Sequence, residues 1–168
     1  MASRLRLNPT KTQVMWLGSS RQLDKIAIKE VPLLSTCVTV VDTARDLGIV
    51  LDCQLSLDAH VTAVCRSSYY QLRQKQPIAR SLSVEAAKSL VQTFISSRLD
   101  YCNATSHGLP DRLMRRLQSA QNAAARLITG APRRDDMITP ILRQLHWLPV
   151  RRRVDFKIAV LVFQCYCV

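Results

Sequence analysis

The chain has few acidic residues, few aromatic residues and no long apolar run. Asp and Glu number 12 against 24 Lys and Arg in 168 residues, which leaves a formal net charge of +12. A field of that sign attracts polyanions, and nucleic acid is the commonest polyanion in cells. Hydrophobic residues make up 48% of the chain, enough for a core, so we do not expect global disorder.

Features typical of secreted, membrane and zinc-binding proteins are also missing. The six cysteines form no C-x-x-C pair, and the spacing of Cys53, His60 and Cys65 is not diagnostic of a metal site. The apolar run Ile158–Phe163 is too short to span a bilayer, and the first residues do not form a secretory signal. We expect reduced cysteines, no metal in this chain, no membrane, and an intracellular location in the nucleus or cytoplasm.

The first part of the chain has the pattern of short strands separated by turn residues. Candidate strands are Thr12–Leu17, Ile26–Ile28, Val38–Val41 and Asp46–Leu51. The last of these contains Gly48, and a glycine inside a strand often marks a bulge. The pattern predicts an antiparallel patch over about residues 1–56.

From about Asp58 the apolar residues recur at helical spacing. The first helix is predicted to end at Pro77, and Ser83 is predicted to cap the second. A third helix is predicted between Pro110 and Gly130, followed by a short helix that starts at Thr139-Pro140 and a last helix after Pro149. The expected buried positions of the second and third helices are Val84, Ala87, Val91, Phe94, Ile95, Leu113, Leu117, Ala120, Ala124 and Leu127. The predicted fold class is α+β: short N-terminal antiparallel strands followed by a helical bundle over residues 57–168.

Several long sequence segments are similar to those of one family. They are LRLNPTKTQVMWLG at 5–18, RLDYCNATSHGLP at 98–110, RLQSAQNAAARLITG at 116–130 and ITPILRQLHWLPVRRRVDF at 138–156. With these segments the chain resembles the carboxy-terminal part of a LINE-type, non-LTR (jockey-like) retrotransposon reverse transcriptase. The resemblance covers residues 1 to about 164, departs from the family at Lys75-Gln76, and implies that 1–56 is the end of the palm and 57–168 the thumb. It also leads us to expect a fragment truncated at both ends.

The resemblance implies roles for two segments of the first part. Lys11 lies in LN-x-x-KT, whose lysine is placed near the leaving pyrophosphate in such enzymes, where it can donate a proton or screen charge. Leu47 and Gly48 lie in a segment that resembles the primer-grip hairpin, whose Leu-Gly contacts the primer strand. From the residues alone, Lys11 is also compatible with a solvated turn, and Gly48 with an ordinary bulge.

Arginines on the predicted helices are the candidates for nucleic-acid contact. They are Arg112, Arg115, Arg116 and Arg126 on the third helix, with Arg151, Arg152 and Arg153 at the start of the last. Arginine on a rigid helix can contact successive phosphates of a duplex. No aromatic residue interleaves these arginines in sequence, so phosphate tracking without base readout is the expected mode. The alternative is a solvated helix face.

Two further motifs are assigned structural roles. The Asp135-Asp136 pair follows Pro132, Arg133 and Arg134 and lacks the aromatic-Ala-Asp-Asp context of the family's catalytic hairpin, so we interpret it as a loop before the next helix. Trp147 lies between apolar residues and is predicted to be a core anchor between the last two helices.

The sequence leaves two function classes open. The first is a fragment of an RNA-directed DNA polymerase that lacks the catalytic aspartates. Its expected partners are an RNA/DNA duplex, bound weakly and without sequence preference, and the missing palm and fingers of the parent polymerase. The resemblance implies Mg²⁺ in that full-length parent and no cofactor in this fragment. The second class is a non-catalytic helical module that binds protein or RNA.

Overall fold

The structure is a computed structural model that describes residues 8, 10–33, 36–79, 81–131 and 138–167. The chain divides into two compact units, Met1–His60 and Val61–Val168. The first unit contains α1 Ser20–Leu23, β1 Glu30–Leu33, β2 Thr36–Thr39, β3 Thr43–Asp46 and β4 Ile49–Asp52. Then follow α2 Asp58–Ala79, α3 Val84–Val91, a π-helical turn Gln92–Ser96, α4 Ser97–Asp100, a 3₁₀ turn Asn103–Ser106, α5 Asp111–Thr129, α6 Ile138–Gln144 and α7 Val150–Tyr166. The predicted α+β class is confirmed, and the assignment of the two units to a palm end and a thumb stays a prediction.

The strands of the first unit form two separate antiparallel pairs. β1 pairs with β2 in a register that places Val31 opposite Val38, and β3 pairs with β4 so that Asp46 lies opposite Ile49. Because Asp46 and Ile49 are partners, Leu47 and Gly48 form a two-residue turn. The prediction of one continuous strand over Asp46–Leu51, with Gly48 inside it, is therefore wrong.

Two other predicted strands are absent from the structure. Thr12–Leu17 makes only a single bridge, between Val14 and Val40, and Ile26–Ile28 is not part of a strand. Leu17 and Ile28 are exposed. A β-prone segment becomes a strand only where a neighbouring strand pairs with it along its length, and these segments have no such neighbour among the described residues.

A continuous hydrophobic core organises the second unit. α3 and the π-helical turn contribute Ala87, Val91 and Ile95, and α7 contributes Val150 and Val154. The contribution of α5 is a stripe of Leu113, Leu117, Ala120 and Ala124, as predicted, with Leu127 half-buried beside it. Trp147 is half-buried and packs against this core, and its predicted role as the anchor between the last two helices stays a prediction.

Two of the described helix ends follow local capping rules. The Ser83 hydroxyl accepts a hydrogen bond from the Ala86 amide at 3.3 Å, and Gly130 ends α5 with a left-handed backbone at φ 68°. Pro77 was predicted to end the first helix, but it lies inside α2, two residues before the end. Proline has no N–H, so the Arg73 carbonyl four residues earlier loses its intrahelical donor, and α2 continues for only two residues beyond Pro77.

The predicted buried face of the second helix is only partly correct. Val84 and Phe94 are exposed, whereas Ala87, Val91 and Ile95 are buried. The π-helical turn Gln92–Ser96 widens the backbone and rotates the following residues, which turns Phe94 away from the core. The Lys75 ammonium lies 4.5 Å from the centroid of the Phe94 ring, a cation–π contact.

Two glutamines of α5 hold the start of α7. The Gln121 amide donates to the Leu148 carbonyl at 2.9 Å, and the Val150 amide donates to Gln118 Oε1 at 2.8 Å. Gln118 Nε2 also donates to Gln121 Oε1 at 2.8 Å, which links the two side chains. Val150 is the first residue of α7, so its amide has no intrahelical acceptor and Gln118 supplies one.

Candidate nucleic-acid interface

The predicted primer-grip segment is the tip of the β3–β4 hairpin. Leu47 and Gly48 both have positive φ values, 44° and 85°, which is the backbone of a type I′ turn. Leu47 is 79% exposed, so the tip presents an apolar side chain to solvent. The structure thus has a hairpin at the position that the resemblance implies, and its role in holding a primer strand stays a prediction.

Lys11 lies on an exposed turn that Asn8 organises. The amides of Lys11 and Thr12 both donate to the Asn8 carbonyl at 3.1 Å, and the Thr10 hydroxyl donates to Asn8 Oδ1 at 2.7 Å. Because the Asn8 side chain and carbonyl bind three following residues, the backbone that carries Lys11 is well defined. The exposed ammonium is compatible both with the predicted pyrophosphate contact and with a solvated surface.

The four arginines of α5 lie outside its buried stripe. Arg112 and Arg115 are exposed, and Arg116 and Arg126 are half-buried. Arg116 donates to the Thr62 hydroxyl at 2.8 Å, which joins α5 to α2. Arg112 and Arg115 are thus on the exposed side of α5, whereas Arg116 and Arg126 are partly covered, and Arg116 has an internal partner on α2.

Helix α2 adds two arginines that sequence reasoning missed. Arg66 and Arg73 are exposed and seven residues apart, so they lie on one side of α2. Thr62 and Tyr69, on the same side, contact α5 through the Arg116 bond and through a 2.9 Å bond between Tyr69 Oη and Ser119 Oγ. We define the α2–α5 face by Arg66, Arg73, Arg112, Arg115, Arg116 and Arg126. The spacing of Arg66 and Arg73 in the sequence would have been a signal for it.

No acidic residue interrupts the two helical stretches that form this face. Asp and Glu are absent from the sequence between Val61 and Ala79 and between Arg112 and Thr129. The flanking acids Asp58 and Asp111 lie in the first turns of α2 and α5, where the helix dipole favours a negative charge. The positive charge of the face is therefore concentrated, and such a surface attracts phosphate groups.

The triple arginine of α7 differs from the α2–α5 face because acids accompany it. Arg151 forms an ion pair with Asp111, and Arg153 lies 3.0 Å from a carboxylate oxygen of Asp100. Burial raises the pKa of the Asp100 carboxyl, while Arg153 and Lys157 lower it in part. Arg152 is exposed, with Asp155 at 3.9 Å. The predicted contacts of Arg151 and Arg152 with nucleic acid stay predictions, and Arg153 is an internal ion-pair partner.

A groove lies on the α2–α5 face. Its volume is about 690 Å³, and its lining includes Tyr69, Leu72, Arg73, Ser119, Ala123 and Arg126. Leu72 and Ala123 are apolar, whereas Arg73 of α2 and Arg126 of α5 bring positive charge to the lining. The groove therefore combines an apolar lining, one aromatic ring and two cations.

Metal ligands and thiols do not form a site in the described part of the chain. Among those residues, no group of three or more His, Cys, Asp or Glu side chains lies close enough to hold a metal ion. The described residues therefore do not fit the two-metal centre that the resemblance implies for the parent enzyme. Asp135 and Asp136 lie outside the described residues. Cys65 is buried, and burial raises the pKa of its thiol despite the nearby Arg116.

Within the described ranges, no helix is both long enough and apolar enough to cross a bilayer. Comparison with protein-family models, with curated proteins and with solved structures found no match. The functional interpretation therefore rests on the geometry of the α2–α5 face and on the sequence segments described above.

Proposed function

We propose that this chain is a fragment of a LINE-type reverse transcriptase that lacks the catalytic aspartates and binds template–primer duplex without sequence preference. The observation that carries the proposal is the α2–α5 face, where six arginines lie on two helical stretches without an acidic residue. The resemblance of the sequence segments supports the identity of the fragment. The exposed Leu47-Gly48 tip supports the primer-grip assignment of the hairpin.

The spacing of the arginines suits a duplex backbone. Arg112 and Arg126 are separated by 14 residues, which is about 21 Å along a helix axis. A duplex advances about 3.4 Å per base pair, so that span covers roughly six base pairs. Arginines placed along it can each contact a phosphate oxygen, and none of these contacts requires reading a base. Binding of this kind is electrostatic, weak at physiological salt and strongly dependent on salt concentration.

The test compares two charge-matched variants in binding to a labelled RNA–DNA duplex over a range of salt concentrations. One carries Arg66→Gln, Arg73→Gln and Arg115→Gln on the face. The control carries Arg21→Gln, Lys25→Gln and Lys29→Gln at exposed positions of the first unit. For every arginine–phosphate interaction that a variant removes, the slope of log K against log salt should flatten by about 0.9.

The expected result is a lower affinity and a flatter slope for the face variant, with a smaller change for the control. Equal losses of affinity in both variants would show that net charge alone drives binding and that the face is not a site. No magnesium-dependent primer extension is expected from either form, and extension by the rigorously purified chain would contradict the proposal.

One observation favours the second function class, a protein-interaction module that self-associates. Helix α7 has three exposed aromatic residues at spacings of seven and three residues. They are Phe156 at 62% exposure, Phe163 at 67% and Tyr166 at 86%. Three aromatic side chains exposed to this extent present about 450 Å² of apolar surface, since each can bury about 150–250 Å². Two copies would together bury about 900 Å², close to the lower limit for a specific interface.

Sedimentation of the wild type and of Phe163→Glu tests this second candidate. A dimer that the substitution dissociates would support self-association through α7. A wild type that stays monomeric at high concentration would exclude it.

A further inference from the structure

The groove of the α2–α5 face has properties that phosphate tracking on a duplex does not require. A duplex backbone needs only cations on a surface, whereas this groove of about 690 Å³ also has an apolar lining and an aromatic ring. The groove is open to solvent, and its volume lies in the range of small-ligand sites, about 300–1,000 Å³. A single nucleotide, or two, has that size.

Tyr69 is held in position at the groove. Its hydroxyl lies 2.9 Å from Ser119 Oγ on α5, and 42% of the residue is exposed. A tyrosine fixed at its hydroxyl end presents its ring without further loss of conformational freedom. Aromatic rings bind unpaired bases by stacking, with little preference among the four bases. The bases of an intact duplex are already stacked on one another, so this ring suits an unpaired base.

The two cations of the groove lining come from different helices. Arg73 belongs to α2 and Arg126 to α5, and both line the groove together with Tyr69. A phosphate beside them gains favourable charge interactions from either side. The apolar Leu72 and Ala123 give the sugar and the base a surface from which water is displaced.

We propose that the groove binds an unpaired strand end of one or two nucleotides, with its base against Tyr69 and its phosphate between Arg73 and Arg126. This inference rests on the proposed function, because the duplex bound along the α2–α5 face supplies that end. It adds a preference for frayed or overhanging ends to a surface that is otherwise indifferent to sequence.

The experiment measures binding of three probes to the full chain: a blunt duplex, the same duplex with a two-nucleotide thymidine overhang, and one with an abasic overhang. Wild type is expected to bind the thymidine overhang about tenfold more tightly than the blunt duplex, a typical effect of stacking one base. The abasic overhang should regain little of this preference, because it offers phosphate without a base.

Variants of two kinds test the position of the base. Tyr69→Ala should lose the preference for the overhang while the salt slope, which the arginines set, stays unchanged. Tyr69→Phe keeps the ring but loses the bond to Ser119, so it should retain only part of the preference. Ala123→Phe fills the groove without removing any side chain or charge and should have the same effect as Tyr69→Ala. Circular dichroism of each variant establishes that it is folded.

The outcomes separate the two proposals. If wild type binds both the blunt and the overhanging duplex with equal affinity and a steep salt slope, the groove inference is wrong and the proposed function stands. If it binds neither probe in a salt-dependent way, the proposed function itself is wrong. If an acidic peptide displaces the overhanging probe as well as a thymidine oligonucleotide does, the groove is a peptide site and the inference is overturned.

Discussion

The two units of the chain are stabilised in different ways. In the described part of the first unit, Val38 and Leu57 are the buried hydrophobic residues, and each retains 8% exposure. The second unit has a continuous core in which Val91, Ala120 and Ala125 are fully inaccessible. Isolated two-stranded hairpins are marginally stable, so backbone pairing without a core gives the first unit little resistance to unfolding. The basic face is therefore on the more stable unit and the hairpin tip on the less stable one.

The largest expected difference between the units comes from truncating one core residue in each. Ile95→Ala should destabilise the second unit by about 3–4 kcal/mol, because Ile95 is 1% exposed and its loss leaves a cavity. Val38→Ala should cost the first unit only about 1–1.5 kcal/mol, from fewer methyl groups and easier collapse. Denaturant unfolding followed by circular dichroism measures both. Equal losses of stability would show that the first unit has a better core than its exposure indicates.

Replacing the half-buried tryptophan should have the next largest effect. Trp147→Ala should cost about 2–3 kcal/mol, at or below the lower end for a large aromatic residue, because the side chain is only half-buried. The same denaturant experiment, combined with duplex binding, separates two roles. A variant that keeps its stability but no longer binds duplex would make Trp147 a nucleic-acid contact rather than a core anchor.

The glutamine hydrogen bonds between α5 and α7 are expected to contribute less to the free energy of unfolding than the apolar core does. Gln121→Leu removes the donor to the Leu148 carbonyl, and the loss of one intramolecular hydrogen bond costs about 0.5–1.5 kcal/mol. A double-mutant cycle with Gln118→Leu measures the coupling of the two side chains. Additive effects would show that the 2.8 Å bond between them contributes nothing to stability.

The smallest expected effect is a pH dependence confined to the first unit. Val50 N–H donates to His60 Nδ1 at 3.3 Å, and burial lowers the pKa of His60 below its ordinary value of 6.5. Because the unfolded chain binds the proton more readily, His60 stabilises the folded state fully above about pH 6.5, and this contribution is lost as the pH falls below it.

The fluorescence of Trp16, in a Trp147→Phe background, reports unfolding of the first unit at each pH. Trp16 suits this purpose because its indole donates to the Ile28 carbonyl at 3.2 Å within that unit. His60→Gln should flatten the pH dependence, and the exposed control His107→Gln should not. A wild type whose first unit is equally stable at pH 5 and pH 8 would contradict the assignment.

Helices were predictable here because their signals are local. The α5 bounds follow from Pro110, a buried stripe at helical spacing and Gly130, all within one stretch of sequence. Strands depend on a partner elsewhere in the chain, and for that reason Thr12–Leu17 was predicted and not found. The Leu47-Gly48 turn was missed as a turn because leucine is not the residue that type I′ turns favour at that position.

Only part of the candidate site could be predicted from the sequence, for a similar reason. The arginines of α5 follow from one helical pattern, whereas the groove arises from side chains of α2 and α5 that meet only in the folded chain. Tyr69 illustrates this point, since no aromatic residue lies among the α5 arginines in sequence. The fold brings one beside Arg126 nevertheless.

The turn at Leu47 has a consequence for the order of events in folding. A left-handed backbone costs a residue with a side chain about 1–2 kcal/mol, and Leu47 adopts it at φ 44°. The tip is thus locally frustrated, because the residue prefers a conformation that the hairpin forbids. Such a turn cannot nucleate the β3–β4 pair, so the strands must first be held together by their own ladder. The transition state of the first unit should therefore contain strand contacts while the Leu47-Gly48 tip is still open.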